Sequence, residues 1–370
     1  MHIKIILNFV LSFICSIILS SCSTADKEAG LTETSDEITE IAILMPMTGE
    51  DSILGNQYNR LLKMGLHDGV KSRINVTSYD GGDAKQITAS MNKIVARNTK
   101  IILGPLYSEL TSLISNQAKA HNIIMITMSN NPVLAGNELF VFGHAPLKQL
   151  ERIVNHFLSK DYKNFIALLP SSSHSRTTSN IIQNLVIQKN ATFVRSELYL
   201  PTPESINKSV KLISDNVDSL NEMDDLTTKP VIYVNDNPKN LNLIFNAINK
   251  YNLDKKAVII GDNKIDVDYP DNINLIFTGS LNMANSNVVE IAKNFGINHL
   301  SFMHLLAYDL GRLTSHYIGN KFLYEQFLAR LNSKEPYIGL SGNVHFVDSI
   351  AQREYDIISR EGVVYTTLGR

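Results

Sequence analysis

The sequence predicts an α/β protein built as two doubly wound, parallel-sheet lobes. Three observations carry this reading. Short, fully apolar runs recur along the chain, helix-length segments with apolar residues three and four apart separate them, and the alternation runs from Ile38 almost to the C-terminus. Strands covered on both faces read as continuous apolar runs, and the helices between them are the crossovers that parallel pairing requires.

The first run, Ile41 to Met45, is stopped by Pro46 and Gly49, and Leu61, Leu62, Met64 and Leu66 mark the helix that follows. Ile74 to Tyr79 is a second strand, closed by a turn at Asp80-Gly81-Gly82-Asp83. Ile87, Met91, Ile94 and Val95 then fall on one face of a helix. Ile101 to Leu103 leads into Gly104-Pro105, and Ile123 to Ile126 leads into a polar loop. The period repeats at Phe165 to Leu169, Thr192 to Leu198, Val231 to Val234, Ala257 to Ile260 and Leu275 to Thr278. Roughly nine or ten such strands exceed a compact single sheet, so two lobes are expected, with ligands at the strand C-termini facing the cleft.

Composition narrows the function classes. The chain has 370 residues, a formal net charge of −2 and two cysteines. Near-neutral charge argues against a nucleic-acid binder, whose affinity rests on clustered Lys and Arg. Two cysteines exclude a disulfide scaffold and a Cys-rich zinc module. No metal or cofactor site is expected.

The N-terminus reads as an export signal. Met1-His2-Ile3-Lys4 is a short basic start, and Ile5 to Leu19 is a mostly apolar run. Its roughly fifteen residues are short of the about twenty that a membrane span needs. Leu19-Ser20-Ser21-Cys22 resembles a bacterial lipobox, with small residues before a cysteine whose thiol becomes the thioether to diacylglycerol. Residues 1–21 are therefore expected to be the signal peptide, with Cys22 the acylated N-terminus. Ser23 to Glu37 is polar, lacks periodicity and reads as a flexible tether. Ser23 stands where enteric lipoproteins kept in the inner membrane carry aspartate, so the expected location is the outer membrane, facing the periplasm.

Several segments also resemble a known family. Ile41-Ala-Ile-Leu-Met-Pro-Met-Thr-Gly49 is similar to the opening strand and loop of type 1 periplasmic binding proteins, the Leu/Ile/Val-binding group. Ile102 to Ser108 and Ile123 to Asn131 resemble their third and fourth strands with the loops that follow. Ala307-Tyr308-Asp309 sits where the family has a helix opening with tyrosine and aspartate. Gly339 to Gly342, with Val344, Phe346, Arg353 and Tyr355, resembles the late hairpin that crosses back between the lobes. Within that superfamily, Leu103 to Leu169, with Val133-Leu-Ala-Gly136 and Phe142-Gly-His-Ala-Pro146, is similar to the alphaproteobacterial penicillin-binding protein activators.

The resemblance implies two lobes joined by three crossovers, residues 38–143 with 283–342 and residues 144–282 with 343–370. In the amino-acid-binding branch, loops after the first, third and fourth strands hold a ligand's carboxylate and ammonium. On matching positions this chain has Thr48, Ser108, Ser129 and Asn130, with Asp262 opposite for the ammonium. Ser108 and Ser129 equally suit a capping role at the next helices. Ser173-His174-Ser175 stands where amino-acid binders usually carry tyrosine and glycine, so half of the clamp departs from the pattern.

Catalytic motifs are weak. Ser90-Met-Asn-Lys93 and Ser205-Ile-Asn-Lys208 match Ser-x-x-Lys, and Ser214-Asp-Asn216 matches a second element of penicillin-binding enzymes. The latter two lie too close together, no Lys-Thr-Gly follows, and both Ser-x-x-Lys segments fall in amphipathic helices. His299 and His304 are spaced poorly for one helical face, and Asp80-Gly-Gly-Asp83 suits a turn better than a calcium loop. The chain is expected to be non-enzymatic.

Two functions remain from the sequence. One is a lipoprotein that binds and regulates a penicillin-binding protein, a peptidoglycan synthase, without catalysis. Related activators carry an additional N-terminal helical-repeat domain, where here only the tether precedes the binding-protein fold. The other is a solute-binding lipoprotein of an ABC importer for branched-chain amino acids or a similar small polar ligand.

Overall fold

A computed structural model describes residues 38–369, apart from 70, 137, 223–227, 262–271, 282–286, 288–289, 291, 294–295, 298–299 and 363. The expected signal peptide, tether, lipidated Cys22 and candidate ligand residue Asp262 lie outside the described residues, as do the 282/283 boundary and His299.

The strands are β1 (Thr39–Met45), β2 (Ile74–Asp80), β3 (Ile101–Leu103), β4 (Ile124–Thr127), β5 (Leu139–Val141), β6 (Asn164–Pro170), β7 (Thr192–Tyr199), β8 (Val231–Val234), β9 (Val258–Gly261), β10 (Asn274–Gly279), β11 (Tyr337–Gly339), β12 (Gly342–Val347), β13 (Ile350–Glu354), β14 (Asp356–Glu361) and β15 (Val364–Gly369). Between them lie α1 (Ser52–Asp68), α2 (Ala84–Ala96), α3 (Ser108–Ala120), α4 (Pro146–Leu158), α5 (Ser173–Gln188), α6 (Pro203–Asn221), α7 (Pro238–Lys250), the single turn α8 (Leu253–Lys256), α9 (Phe302–Ile318) and α10 (Tyr324–Leu331). They form two α/β lobes around separate sheets. The first sheet runs β11-β12-β13-β5-β4-β3-β1-β2 and the second runs β15-β14-β10-β9-β8-β6-β7.

The apolar runs become central strands because each buries both faces. In β1, Ile41, Ile43 and Met45 enter a core shared with α1 and α9, while Ala42 and Leu44 enter another with Ile87, Met91 and Ile114 of α2 and α3. In β6, Ile166 and Leu168 face one core, and Phe165, Ala167 and Leu169 face the other. This is the two-residue period of a strand read on two covered faces. Asp83 caps α2 by accepting from the Gln86 backbone N–H at 2.8 Å, so Asp80-Gly-Gly-Asp83 is a turn that starts a helix.

The C-terminal part of the chain differs from expectation. Residues 343–354 were assigned to the second lobe, but β12 and β13 pair within the first sheet and the chain leaves it at Tyr355. The reason is packing: Phe346 stacks edge-on with Phe140 at 5.2 Å and lies 6.1 Å from Phe142, so the hairpin completes the first lobe's core. The strands β11 to β15 add antiparallel pairs, the expected late hairpin among them, to two otherwise parallel sheets.

Two glycines let α1 and α9 cross at close range. A Cβ on Gly65 would lie 2.1 Å from the Tyr308 carbonyl oxygen, and one on Gly311 would lie 2.2 Å from that of Leu62. Gly311→Ala is expected to cost about 1–3 kcal/mol in urea denaturation, because neither backbone can yield without parting the helices.

His304 supplies a pH-dependent term. Its Nδ1 accepts from the Ser301 N–H at 2.9 Å, so Nε2 carries the proton and donates to Gln57 Oε1 at 3.0 Å. Burial pushes His304 down to about 4, and burial with the neighbouring Lys160 and Arg152 charges does the same for His156. Both folded values lie below the ordinary histidine value near 6.5. Their contribution is therefore complete above about pH 6.5 and is lost as pH falls toward 4. Stability should drop by on the order of 2 kcal/mol across that window through His304 alone. Chemical denaturation at stepped pH checks this, and His304→Gln should flatten the profile.

Candidate functional site

The sequence-predicted ligand positions among the described residues lie in or just after the loops that follow the parallel strands of the first lobe, and they differ in what they hold. Thr48, after β1, donates from Oγ1 to Asp80 Oδ2 at 2.5 Å and accepts from Gln86 Nε2 at 2.7 Å. Asp80 also accepts from the Met47 and Gly82 N–H groups. Partial burial opposes ionisation of Asp80, but the Thr48, Met47 and Gly82 donors outweigh it and hold the carboxyl below its usual range. Thr48 thus ties two loops of its own lobe together.

Ser108 opens α3 but does not cap it. The N-cap position falls to Tyr107, which makes no side-chain cap bond and instead donates its hydroxyl to Asp51 Oδ2 at 2.5 Å. Burial and Asp51 push the Tyr107 phenol up to about 12. Ser129 is buried; its Oγ accepts from the Asn131 N–H at 3.1 Å, and its own N–H donates to Thr127 Oγ1 at 3.0 Å. Asn130, beside it, is exposed and lines a cavity of about 1150 Å³. Thr48, Ser108 and Ser129 are absent from that cavity's lining.

The Ser-x-x-Lys serines have structural partners. Ser90 Oγ donates to the Asp80 carbonyl at 2.8 Å, and Ser205 Oγ accepts from the Leu200 N–H at 3.0 Å. Asn216 of the Ser-Asp-Asn element accepts from Arg195.

The cavity sits where the chain passes between sheets. Its wall includes the segment after β5, the start of α4 and of α5, Ser280 after β10, and β13 running into Tyr355 and Asp356. The ionisable residues of this lining include Lys148, Arg152, His174, Arg353, Glu354 and Asp356. Arg353 joins the first and third connections: its guanidinium donates to the Phe142 carbonyl at 2.6 Å and the Gly143 carbonyl at 3.0 Å, and lies 4.3 Å over the Phe142 ring. Gly143 itself comes so near Ser129 that a Cβ there would lie 2.0 Å from the Ser129 carbonyl oxygen.

Asp309 anchors the turn from β11 to β12. It is fully buried and accepts from the Leu340 N–H at 2.8 Å and from the Ser341 N–H and hydroxyl at 2.6 Å each. Burial raises its pKa, with the Ser341 and Leu340 donors pulling the other way. Sequence reasoning singled out Asp309 and Arg353 only through family resemblance. Arg152 and Lys148 gave no signal, since charged residues on an amphipathic helix look alike until the fold places them.

No protein-family profile matches the chain. A relative does: it is 57% identical over 368 residues to "Uncharacterized protein RP748" of Rickettsia prowazekii (strain Madrid E), covering 99% of each chain. The chain belongs to the family of that rickettsial protein. Among solved structures it is similar to a putative branched-chain amino acid ABC transporter protein from Rhodospirillum rubrum, with a TM-score of 0.69 at 11% identity over 90% of this chain and 100% of that one. It is also similar to the C-domain of LpoA from Haemophilus influenzae, described as a regulator of PBP1A, with a TM-score of 0.59 at 15% identity over 89% of this chain and 100% of that one. Against full-length LpoA the match covers 90% of this chain and 59% of that chain, with a TM-score of 0.59. These likenesses establish the type 1 periplasmic binding protein fold.

Asp309→Asn would set an amide N–H₂ against donors that now meet a carboxylate. An expected loss of on the order of 2–4 kcal/mol in urea denaturation follows from leaving buried donors unmatched.

Proposed function

We propose that this chain is a non-catalytic, outer-membrane-anchored periplasmic lipoprotein that binds and regulates a peptidoglycan synthase of the penicillin-binding protein class. The observation that carries this reading is the engagement of the amino-acid clamp positions within their own lobe. Thr48 is tied to Asp80 and Gln86, and Ser129 holds the Asn131 turn. A receptor for a free amino acid needs those hydroxyls for its ligand. The similarity to the LpoA C-domain, the lipobox ending at Cys22 and the structural use of Ser90 and Ser205 agree with it.

A second reading, a solute receptor for an ABC importer, is favoured by the cavity beside the connections and by the similarity to amino-acid transporter proteins. The two differ in what they capture. Pull-down of the full-length chain from envelope membranes should recover a bifunctional penicillin-binding protein, and the purified pair should polymerise or cross-link glycan faster than the synthase alone. Recovery of transporter permeases without any synthase would overturn the regulator reading. Cys22→Ser should release the protein from the membrane fraction; retention of that variant in the membrane would remove the lipid anchor from the proposal.

A further inference from the structure

The first lobe is charged oppositely at the two ends of its parallel strands. Backbone bonds bring the starts of β1 to β4 level: the Thr39 N–H donates to the Arg73 carbonyl at 3.0 Å, the Lys100 N–H to the Glu40 carbonyl at 2.9 Å and the Ile124 N–H to the Lys100 carbonyl at 3.1 Å. Neighbouring strands lie about 4.8 Å apart, so the loops entering them form one face. Lys71, Arg73, Arg97 and Lys100 stand in those loops, with Lys119 in the last turn of α3, and all are exposed or half-exposed. The carboxylates beside them are engaged. Glu40 accepts from Asn75 and pairs with Arg97 at 3.5 Å, Asp68 accepts from the Tyr308 hydroxyl, and Glu138 at the start of β5 holds the Tyr324 hydroxyl. At the opposite end of the strands lie Glu50, Asp51, Asp80, Asp83 and Glu109. Acids at helix N-termini and cations at C-termini suit the helix dipoles. The second lobe has the same winding, yet where its strands begin Lys163 pairs with Asp161 at 3.2 Å, Lys255 with Asp254 at 3.0 Å and Lys256 with Asp218 at 2.7 Å.

We propose that the basic end of the first lobe docks on the anionic phospholipid surface of the membrane that holds the anchor, turning the loops after its strands away from the bilayer. This rests on the Cys22 anchor of the proposed function and adds an orientation to it. The chain enters the lobe at this same end, because β1 starts beside Arg73, and Ile38 stands sixteen positions after Cys22. That length of chain reaches roughly 55 Å at most, so the lobe is held at the surface at high local concentration. Each Lys or Arg near an anionic surface favours the docked state by about fivefold, and the acidic end of the lobe is repelled from it. Segment 23–37 carries five carboxylates, a rival counter-charge that the experiment must separate from lipid.

Lysine acetylation read by mass spectrometry tests it, on the chain purified from membranes and placed in detergent, in phosphatidylcholine vesicles, and in vesicles with one lipid in three phosphatidylglycerol. Lys71, Lys100 and Lys119 should react at least about fivefold more slowly on the anionic vesicles than on the neutral ones. High salt should restore their rates, since it screens exposed charges. Lys163 and Lys189, exposed at the far end of the second lobe, should react alike on both. Lys71→Gln combined with Lys100→Gln should raise the Lys119 rate on anionic vesicles by about fivefold or more, with circular dichroism showing the fold intact. Equal rates on both vesicles, lysines already protected in detergent, protection of Lys163 and Lys189 instead, or protection unmoved by salt and by the double variant would each overturn the proposal. Flotation with neutral vesicles reports the anchor by itself. A chain that does not float ends the lipoprotein reading and this docking together, whereas flotation without selective protection ends the docking alone.

Discussion

Arg353 holds the place where the two sheets are joined. Its side chain reaches from β13 to the carbonyls of Phe142 and Gly143, just beyond β5, while its own backbone leads through Tyr355 into the second sheet. One cation thus ties an outgoing connection to a returning one. Carbonyl groups between strands have no ladder partner, and leaving them unmet in a covered region would be costly. The guanidinium meets them with two donors in a fixed plane and stacks on Phe142, so the spacing of the connections is set by covalent geometry rather than by a flexible contact. The position of the cavity, and of Tyr355 on its wall, follows from that tie.

The lobes can differ in chemistry because each has its own pair of cores. In the first, the sheet is sandwiched between α1 with α9 on one face and α2 with α3 on the other, and the C-terminal hairpin seals its edge through Phe346. Asp309 extends this order to the turn from β11 to β12 with three donors on one carboxylate. The loops that carry Thr48 and Ser129 are consequently braced from within. The Thr48 and Ser129 hydroxyls are part of the lobe's frame, Thr48 through Asp80 and Gln86 and Ser129 as acceptor from the Asn131 N–H. That internal use separates these loops from an amino-acid clamp.

Much of the architecture was legible in the residues. Ile41 to Met45, Ile101 to Leu103, Phe165 to Leu169 and Val231 to Val234 each form the strand their apolar runs predict, because a strand with both faces covered leaves no choice of residue type. The hairpin strands from Asn343 to Glu354 were misplaced for the opposite reason. Their alternating pattern suits an edge of either sheet, and only the contact of Phe346 with Phe140 and Phe142 selects the first. For the site, the polar residues after the first and fourth strands were found but not their use. A serine hydroxyl in a loop can face a ligand or a backbone N–H, and Ser129 takes the latter.

By itself the sequence determined the α/β alternation and the division into two lobes, since the apolar runs and the amphipathic segments between them are patterns of residues close together in the chain. The tertiary structure alone decided where the chain recrosses, which loop hydroxyls are spent, and that Arg152, Arg353 and Tyr355 line one cavity. Those depend on groups some two hundred residues apart, such as Arg353 and Phe142, whose separation of 211 positions only the packed fold can close. Local pattern specifies elements; hydrogen-bond partnership is settled by what the fold brings within reach.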